Sequence, residues 1–118
     1  EISIKCLSSE IEKIFINLLQ NAINYSPEND EIIIKITKES SNLIIEIIDN
    51  GPGVNTIDKE YIFNRFYTAD KNRSYSSLGG TGLGLSIVKH AANLHSGKVE
   101  LIDTTKGATF RVTIPQIN

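Results

Sequence analysis

Apolar positions recur every three or four residues from Ile11 to Ala22, and the period then changes. Ile11, Ile14, Phe15, Leu18, Leu19 and Ala22 share one broad face at about 100° per residue, which predicts an amphipathic helix. Ser9 with Glu12 has the spacing of a capping box, so the helix is expected to start there. Pro27 disfavours helical geometry at Ser26, so the helix is expected to run to about Tyr25. The remaining stripe carries Glu10, Lys13, Asn17, Gln20, Asn21 and Asn24. On a helix buried on most sides, that amide stripe must face something polar, such as a cleft.

Elsewhere the period is two. Ile2-Ser3-Ile4-Lys5-Cys6 alternates and predicts a short strand. Residues 32–37 and 43–49 are β-rich runs joined by Glu39-Ser40-Ser41-Asn42, an antiparallel hairpin signal. Ile44, Ile45, Ile47 and Ile48 make the second run apolar on both faces, so it is expected to be central, with helices over one face. Residues 58–62 predict one or two helical turns. From Phe63 to Gly80 no period is sustained, which predicts a long lid-like loop. Leu83, Ile87, Ala91 and Leu94 then fall at helical spacing, in a helix stopped at Gly97. Residues 99–102 and 109–114 read as the last two strands, and Phe110, Val112 and Ile114 alternate with Arg111 and Thr113. This order predicts an α+β fold, a layer of helices on a largely antiparallel sheet.

One stretch interrupts the periodic pattern. Gly79-Gly80-Thr81-Gly82-Leu83-Gly84 feeds directly into the second helix. Glycine lets a ligand approach the backbone, and the first amides of a helix have no intrahelical partner. A loop of this kind at a helix N-terminus suits phosphate. It is not a dinucleotide fingerprint, because Leu85 stands where the third glycine would be, and it is not a P-loop, because no Lys follows until Lys89.

Composition narrows the partners. The 118 residues suit one domain, and a net charge of −2 with 12 scattered basic residues gives no electrostatic case for nucleic acid. Cys6 is the single cysteine, which leaves no internal disulfide or cysteine metal cluster. No apolar run reaches the length of a membrane span. The chain begins at Glu1, and an excised domain of a larger protein is expected.

Three groups of residues carry candidate chemistry. Asn17 and Asn21 lie four apart on one helical face and offer neutral oxygens to a hard cation such as Mg²⁺, or else form a solvated face. Asp49, at the end of a buried strand, can accept from an exocyclic amine, with Gly51 and Gly53 leaving room for a flat ring; an Asx-capped turn is the plainer alternative. Lys71 and Arg73 in the loop can neutralise phosphate or simply be solvated. His90 and His95 lack partners at ligand spacing, and no nucleophilic triad is evident.

Taken together, these segments resemble the catalytic and ATP-binding domain of bacterial sensor histidine kinases, in the Bergerat-fold ATPase superfamily. Asn17-Leu18-Leu19-Gln20-Asn21-Ala22 with Tyr25-Ser26 is similar to its N box, and Asp49-Asn50-Gly51-Pro52-Gly53 to its G1 box. Ile62-Phe63-Asn64-Arg65-Phe66-Tyr67 resembles the F box, Gly79 to Lys89 the G2 box, and Gly107-Ala108-Thr109-Phe110 the final glycine motif. The resemblance implies a two-layer α/β sandwich: a mixed, mostly antiparallel five-stranded sheet with about three helices on one face. It implies ATP and Mg²⁺ as ligands, with Asn21 on the metal and Asn17 beside it. Asp49 would take the adenine amine and Tyr25 would pack near the base, with Gly51, Gly53 and Val54 in the same wall. Phe63 would anchor the lid, and Lys71 and Arg73 would approach the phosphates. Gly80, Thr81, Gly82, Leu83 and Gly84 would cradle those phosphates, and Thr109 would reach the adenine. Asn24 stands where many members carry Lys, Thr68 where Arg is frequent, and Ala108 where Thr or Ser is common.

The implied activity is that of the ATP-binding half of a histidine autokinase. It would donate the γ-phosphoryl to a His on a separate dimerisation domain of the same kinase, and so feed a response regulator. The domain is expected to be cytoplasmic, without membrane contact of its own, in a parent anchored in the membrane. One alternative is a hydrolase of the gyrase and chaperone branch, which resembles this domain but places Glu where Asn17 stands. An amide cannot take a proton from water. The other is a nucleotide-dependent interaction module without catalysis.

Overall fold

A computed structural model describes residues 6–26, 28–51, 54, 59, 61–64, 84–102 and 107–116. Within them the chain forms α1 (Ser8–Tyr25), β1 (Ile33–Glu39), β2 (Asn42–Ile48), α2 (Gly84–Leu94), β3 (Lys98–Ile102) and β4 (Thr109–Pro115). The strands make one antiparallel sheet in the order β1-β2-β4-β3. Four strands and two helices are therefore described; the expected strand at 2–6 falls almost wholly outside the described residues. Of the expected turns at 58–62, the described residues form a turn in which the Asn64 amide donates to the Tyr61 carbonyl at 2.9 Å.

The apolar patterning decides which sheet face the helices cover. Leu43, Ile45 and Ile47 of β2 and Phe110, Val112 and Ile114 of β4 are buried against Ile14, Leu18 and Ala22 of α1 and Val88, Ala91 and Ala92 of α2. β2 is central, as its apolar run predicts. α1 lies over β2, and α2 over β3 and β4, so β1 projects past the helical layer. Ile34 and Ile36 stand on the helix side of β1, opposite Ile47 and Ile45, yet each is 44% exposed.

The other face of the sheet is polar at its centre. Lys35, Glu46, Arg111 and Glu100 stand side by side across all four strands, alternating in sign. Arg111 donates from Nε and Nη2 to Glu46 Oε2 at 3.1 and 3.0 Å. Such half-exposed pairs add little stability, but opposite charges across neighbouring strands favour this register over slipped ones.

Two expectations about the helices change. The helix starts at Ser8 with Leu7 as its N-cap and no side-chain cap, so the Ser9–Glu12 capping box is not made. The Leu7 amide instead donates to His95 Nε2 at 2.9 Å, while His95 Nδ1 meets the Ala91 carbonyl at 2.9 Å. A histidine 88 residues away in sequence thus ties the start of α1 to the end of α2, holding the proton on Nδ1. In α2 the buried face is Val88, Ala91 and Ala92, whereas Ile87 and Leu94 are 36% and 50% exposed. The small alanines let α2 sit close to α1, and this contact outweighs burial of the larger side chains.

Candidate nucleotide-binding site

The site grows from the C-terminal end of β2. Asp49 is 3% exposed, and its amide donates to the Ala108 carbonyl at 3.0 Å, extending the β2–β4 pairing by one residue. Its Oδ1 accepts from the amides of Gly51 at 2.8 Å and Ala108 at 3.2 Å. The Asx bond to Gly51 is the turn geometry the sequence allows. The second donor, from the residue just before β4 and 59 residues away, makes it a clamp. With both amides on Oδ1, Oδ2 accepts nothing from the described residues and keeps its full accepting capacity.

Two glycines make this corner sterically possible. A side chain at Gly51 would begin 2.3 Å from the Tyr25 carbonyl oxygen and 3.1 Å from Asp49 Oδ1. Gly107 has φ +73°, and a side chain there would start 1.9 Å from the Asp49 carbonyl oxygen. Only glycine takes that conformation at so close an approach. The end of α1, the end of β2 and the start of β4 therefore meet around one carboxylate.

The other end of the site is where α1 meets the first turn of α2. Asn17 donates from Nδ2 to the Lys13 carbonyl at 2.8 Å, which turns Oδ1 away from its own helix. That Oδ1 lies 3.3 Å from where a side chain at Gly84 would begin. Gly84 thus lets an amide oxygen reach a helix N-terminus, where unpaired amides favour anions. Asn21, one turn on, is half-buried on the same flank, and Asn24 Oδ1 accepts from Gln20 Nε2 at 3.2 Å. The two corners are joined by the eight helical steps from Asn17 to Tyr25, about 12 Å of helix, a span that suits a nucleoside triphosphate.

The remaining candidates divide in three ways. Phe63 packs edge-on against Phe110, with ring centroids 6.1 Å apart at 89°, and Val54 packs partly buried on the core. Thr109 pairs with Ile48 and Ile102. By strand alternation its side chain, 6% exposed, lies on the face away from Phe110. Ala108, not singled out as a ligand, supplies the contact to Asp49 through its backbone. Strand parity held that signal, because Thr109 alternates with the core residue Phe110 and shares its face with Arg111 and Thr113. Gly53, Lys71, Arg73, Gly80, Thr81, Gly82 and Leu83 lie outside the described residues.

The residues present fit a purine nucleotide: a fixed carboxylate with an open oxygen, a glycine-lined wall beside it, and a helix N-terminus at the far end. They also fit a hard cation held by few protein ligands, since Asn17 and Asn21 are neutral oxygen donors on one flank. Among the described residues no group of three His, Cys, Asp or Glu could hold a metal ion.

Comparison with known proteins agrees with this geometry. Residues 7–118 match the family described as histidine kinase-, DNA gyrase B-, and HSP90-like ATPase. Sensor-like histidine kinase SenX3 of Mycolicibacterium smegmatis is 44% identical over 101 residues, covering 85% of this chain and 26% of SenX3. Signal transduction histidine-protein kinase ArlS of Staphylococcus aureus is 38% identical over 112 residues, covering 94% of this chain and 25% of ArlS. The chain thus spans about a quarter of these relatives. The solved catalytic domain of histidine kinase ThkA superposes with a TM-score of 0.82 at 31% identity, covering 96% of this chain and 70% of that one. The chain belongs to the histidine kinase-, DNA gyrase B- and HSP90-like ATPase family, and within it is an ATP-binding catalytic domain of the sensor histidine kinase kind.

Proposed function

We propose that this domain binds Mg-ATP between the amide flank of α1, the start of α2 and the Asp49 corner, and donates the γ-phosphoryl to a histidine on a separate dimerisation domain of the same kinase. The observation that carries this reading is the Asp49 clamp. Its carboxylate is held by two backbone amides on one oxygen, and the other is left to accept from the adenine amine. Tyr25 and Gly51 wall the base, while Asn17, Asn21 and the N-terminus of α2 serve the phosphate end. Mg²⁺, held by Asn21 with Asn17 beside it, would offset phosphate charge. Lys71, Arg73 and the residues from Gly80 to Gly84 are assigned to the phosphates on the same reading.

In the transfer, the acceptor imidazole nitrogen attacks the γ-phosphorus, the bond from that phosphorus to the bridging oxygen breaks, and ADP leaves; the imidazole proton goes to solvent. Such chemistry asks the protein for positioning and charge neutralisation rather than for a nucleophile. Asn17 stands where a hydrolase would need a general base, and its amide cannot remove a proton from water. The phosphohistidine would then serve a response regulator. A membrane-anchored parent with this domain on the cytoplasmic side completes the proposal.

The test is autophosphorylation of the full-length kinase in Mg-ATP, compared with its Asn21→Ala variant. Acid-labile phosphohistidine in the parent and its loss in the variant are expected. Steady phosphate release without phosphohistidine, abolished by Asn17→Ala, would assign the domain to the hydrolase branch instead.

A further inference from the structure

Ser26 closes α1 in a way its backbone does not explain. Its amide donates to the Ala22 carbonyl at 2.9 Å, and its backbone is extended, with φ −81° and ψ 146°. Its hydroxyl, Oγ, is buried and has no hydrogen-bond partner among the described residues. Buried hydroxyls without partners are rare in native proteins, because the lost bonds to water are not replaced. A residue needed only to end a helix would carry no such group there. Alanine would fill the same space without the desolvation penalty.

The position gives the hydroxyl a use. The peptide that joins Tyr25 to Ser26 presents its carbonyl oxygen 2.3 Å from the point where a Gly51 side chain would begin, and Asp49 Oδ1 lies 3.1 Å from that same point. Ser26 therefore borders the corner in which Asp49 is clamped. Nearby, the side chain of Ala108 is a methyl group and Thr109 is turned to the opposite sheet face, so neither brings a hydroxyl to this corner. Among the described residues at this corner, Ser26 carries an aliphatic hydroxyl.

We propose that Ser26 is a base-positioning residue, whose hydroxyl holds an enclosed water that bridges to the edge of the purine bound at Asp49. The proposal rests on the nucleotide-binding reading above and adds a residue to it. The water takes up the orphaned donor and acceptor of Oγ and gives the base a second fixed point beside the Asp49 carboxylate. One contact fixes the purine at a point; two fix its orientation in the plane of the ring. Ser26 thereby sharpens the choice of a 6-amino purine over a 6-oxo purine.

The test is calorimetric titration of this chain with Mg-ATP and with Mg-GTP, for the unaltered protein, Ser26→Ala and Ser26→Thr, with a melting curve for each. The expected result for Ser26→Ala is an unchanged or raised melting temperature, roughly five- to tenfold weaker ATP binding, and a narrowed preference for ATP over GTP. Ser26→Thr, which keeps the hydroxyl, is expected to restore both affinity and preference. A purely structural role would lower both affinities together and lower the melting temperature, and that outcome overturns the proposal. So does ATP binding by Ser26→Ala equal to that of the unaltered chain. If the unaltered, folded chain binds no ATP, the nucleotide reading itself fails, and its failure is visible before any variant is made.

Discussion

At the scale of single residues, Asp49 is the pivot of the proposed site. Oδ1 serves the amides of Gly51 and Ala108, and on the proposed reading Oδ2 takes the adenine amine. Asp49→Asn separates the two roles. An asparagine keeps its carbonyl oxygen on the two amides, since its NH₂ group cannot accept from them, and so presents a donor where Oδ2 was. The melting temperature is expected to stay near that of the parent, while ATP affinity falls on the order of a hundredfold, because two donors then face each other. A 6-oxo purine triphosphate, which offers an acceptor at that place, should lose far less. Titration with both nucleotides checks this. Asp49→Ala, by contrast, strands two buried amides at about 1–3 kcal/mol each and should lower stability as well as binding.

At the scale of elements, the four described strands and the end of α1 were legible because their causes are local. Period-two runs place Leu43, Ile45 and Ile47 together, and Pro27 stops the helix at Tyr25 as expected. What local reasoning misses is set by partners far along the chain. The α1 N-terminus is held by His95, so the capping spacing of Ser9 and Glu12 goes unused. The face of α2 is chosen by close approach to α1, which favours Ala91 and Ala92 over the larger Ile87 and Leu94. Gly107 shows the same dependence: its φ of +73° and its contact with the Asp49 carbonyl exist only once β2 and β4 are side by side. Gly107→Ala is therefore expected to destabilise the domain by about 2 kcal/mol or more, through strain and loss of the β2–β4 closure. Chemical denaturation measures this, and Asp49 should lose its hold on Ala108 in the same variant.

At the scale of the whole molecule, the helical layer and the sheet divide the work. The layer buries the apolar face of β2 and β4 and leaves the α1 flank that bears Asn17 and Asn21 against the start of α2. The opposite sheet face carries the alternating row Lys35, Glu46, Arg111 and Glu100, which stays solvated and sets register. The proposed site is thus a product of layering: on that reading one helix supplies both the base corner, through Tyr25, and the phosphate corner, through Asn17. The sequence carried the residue types of both corners, but their meeting depends on packing that brings Gly51 under the end of α1 and Gly84 against its middle. On the proposed function, this arrangement is a working Mg-ATP site. Calorimetric titration of the 118-residue chain with ATP, in the presence of Mg²⁺ and again with Mg²⁺ chelated, tests it most directly. One nucleotide bound per chain is expected, with affinity reduced on chelation. A folded chain that gives no binding heat with Mg-ATP would contradict it.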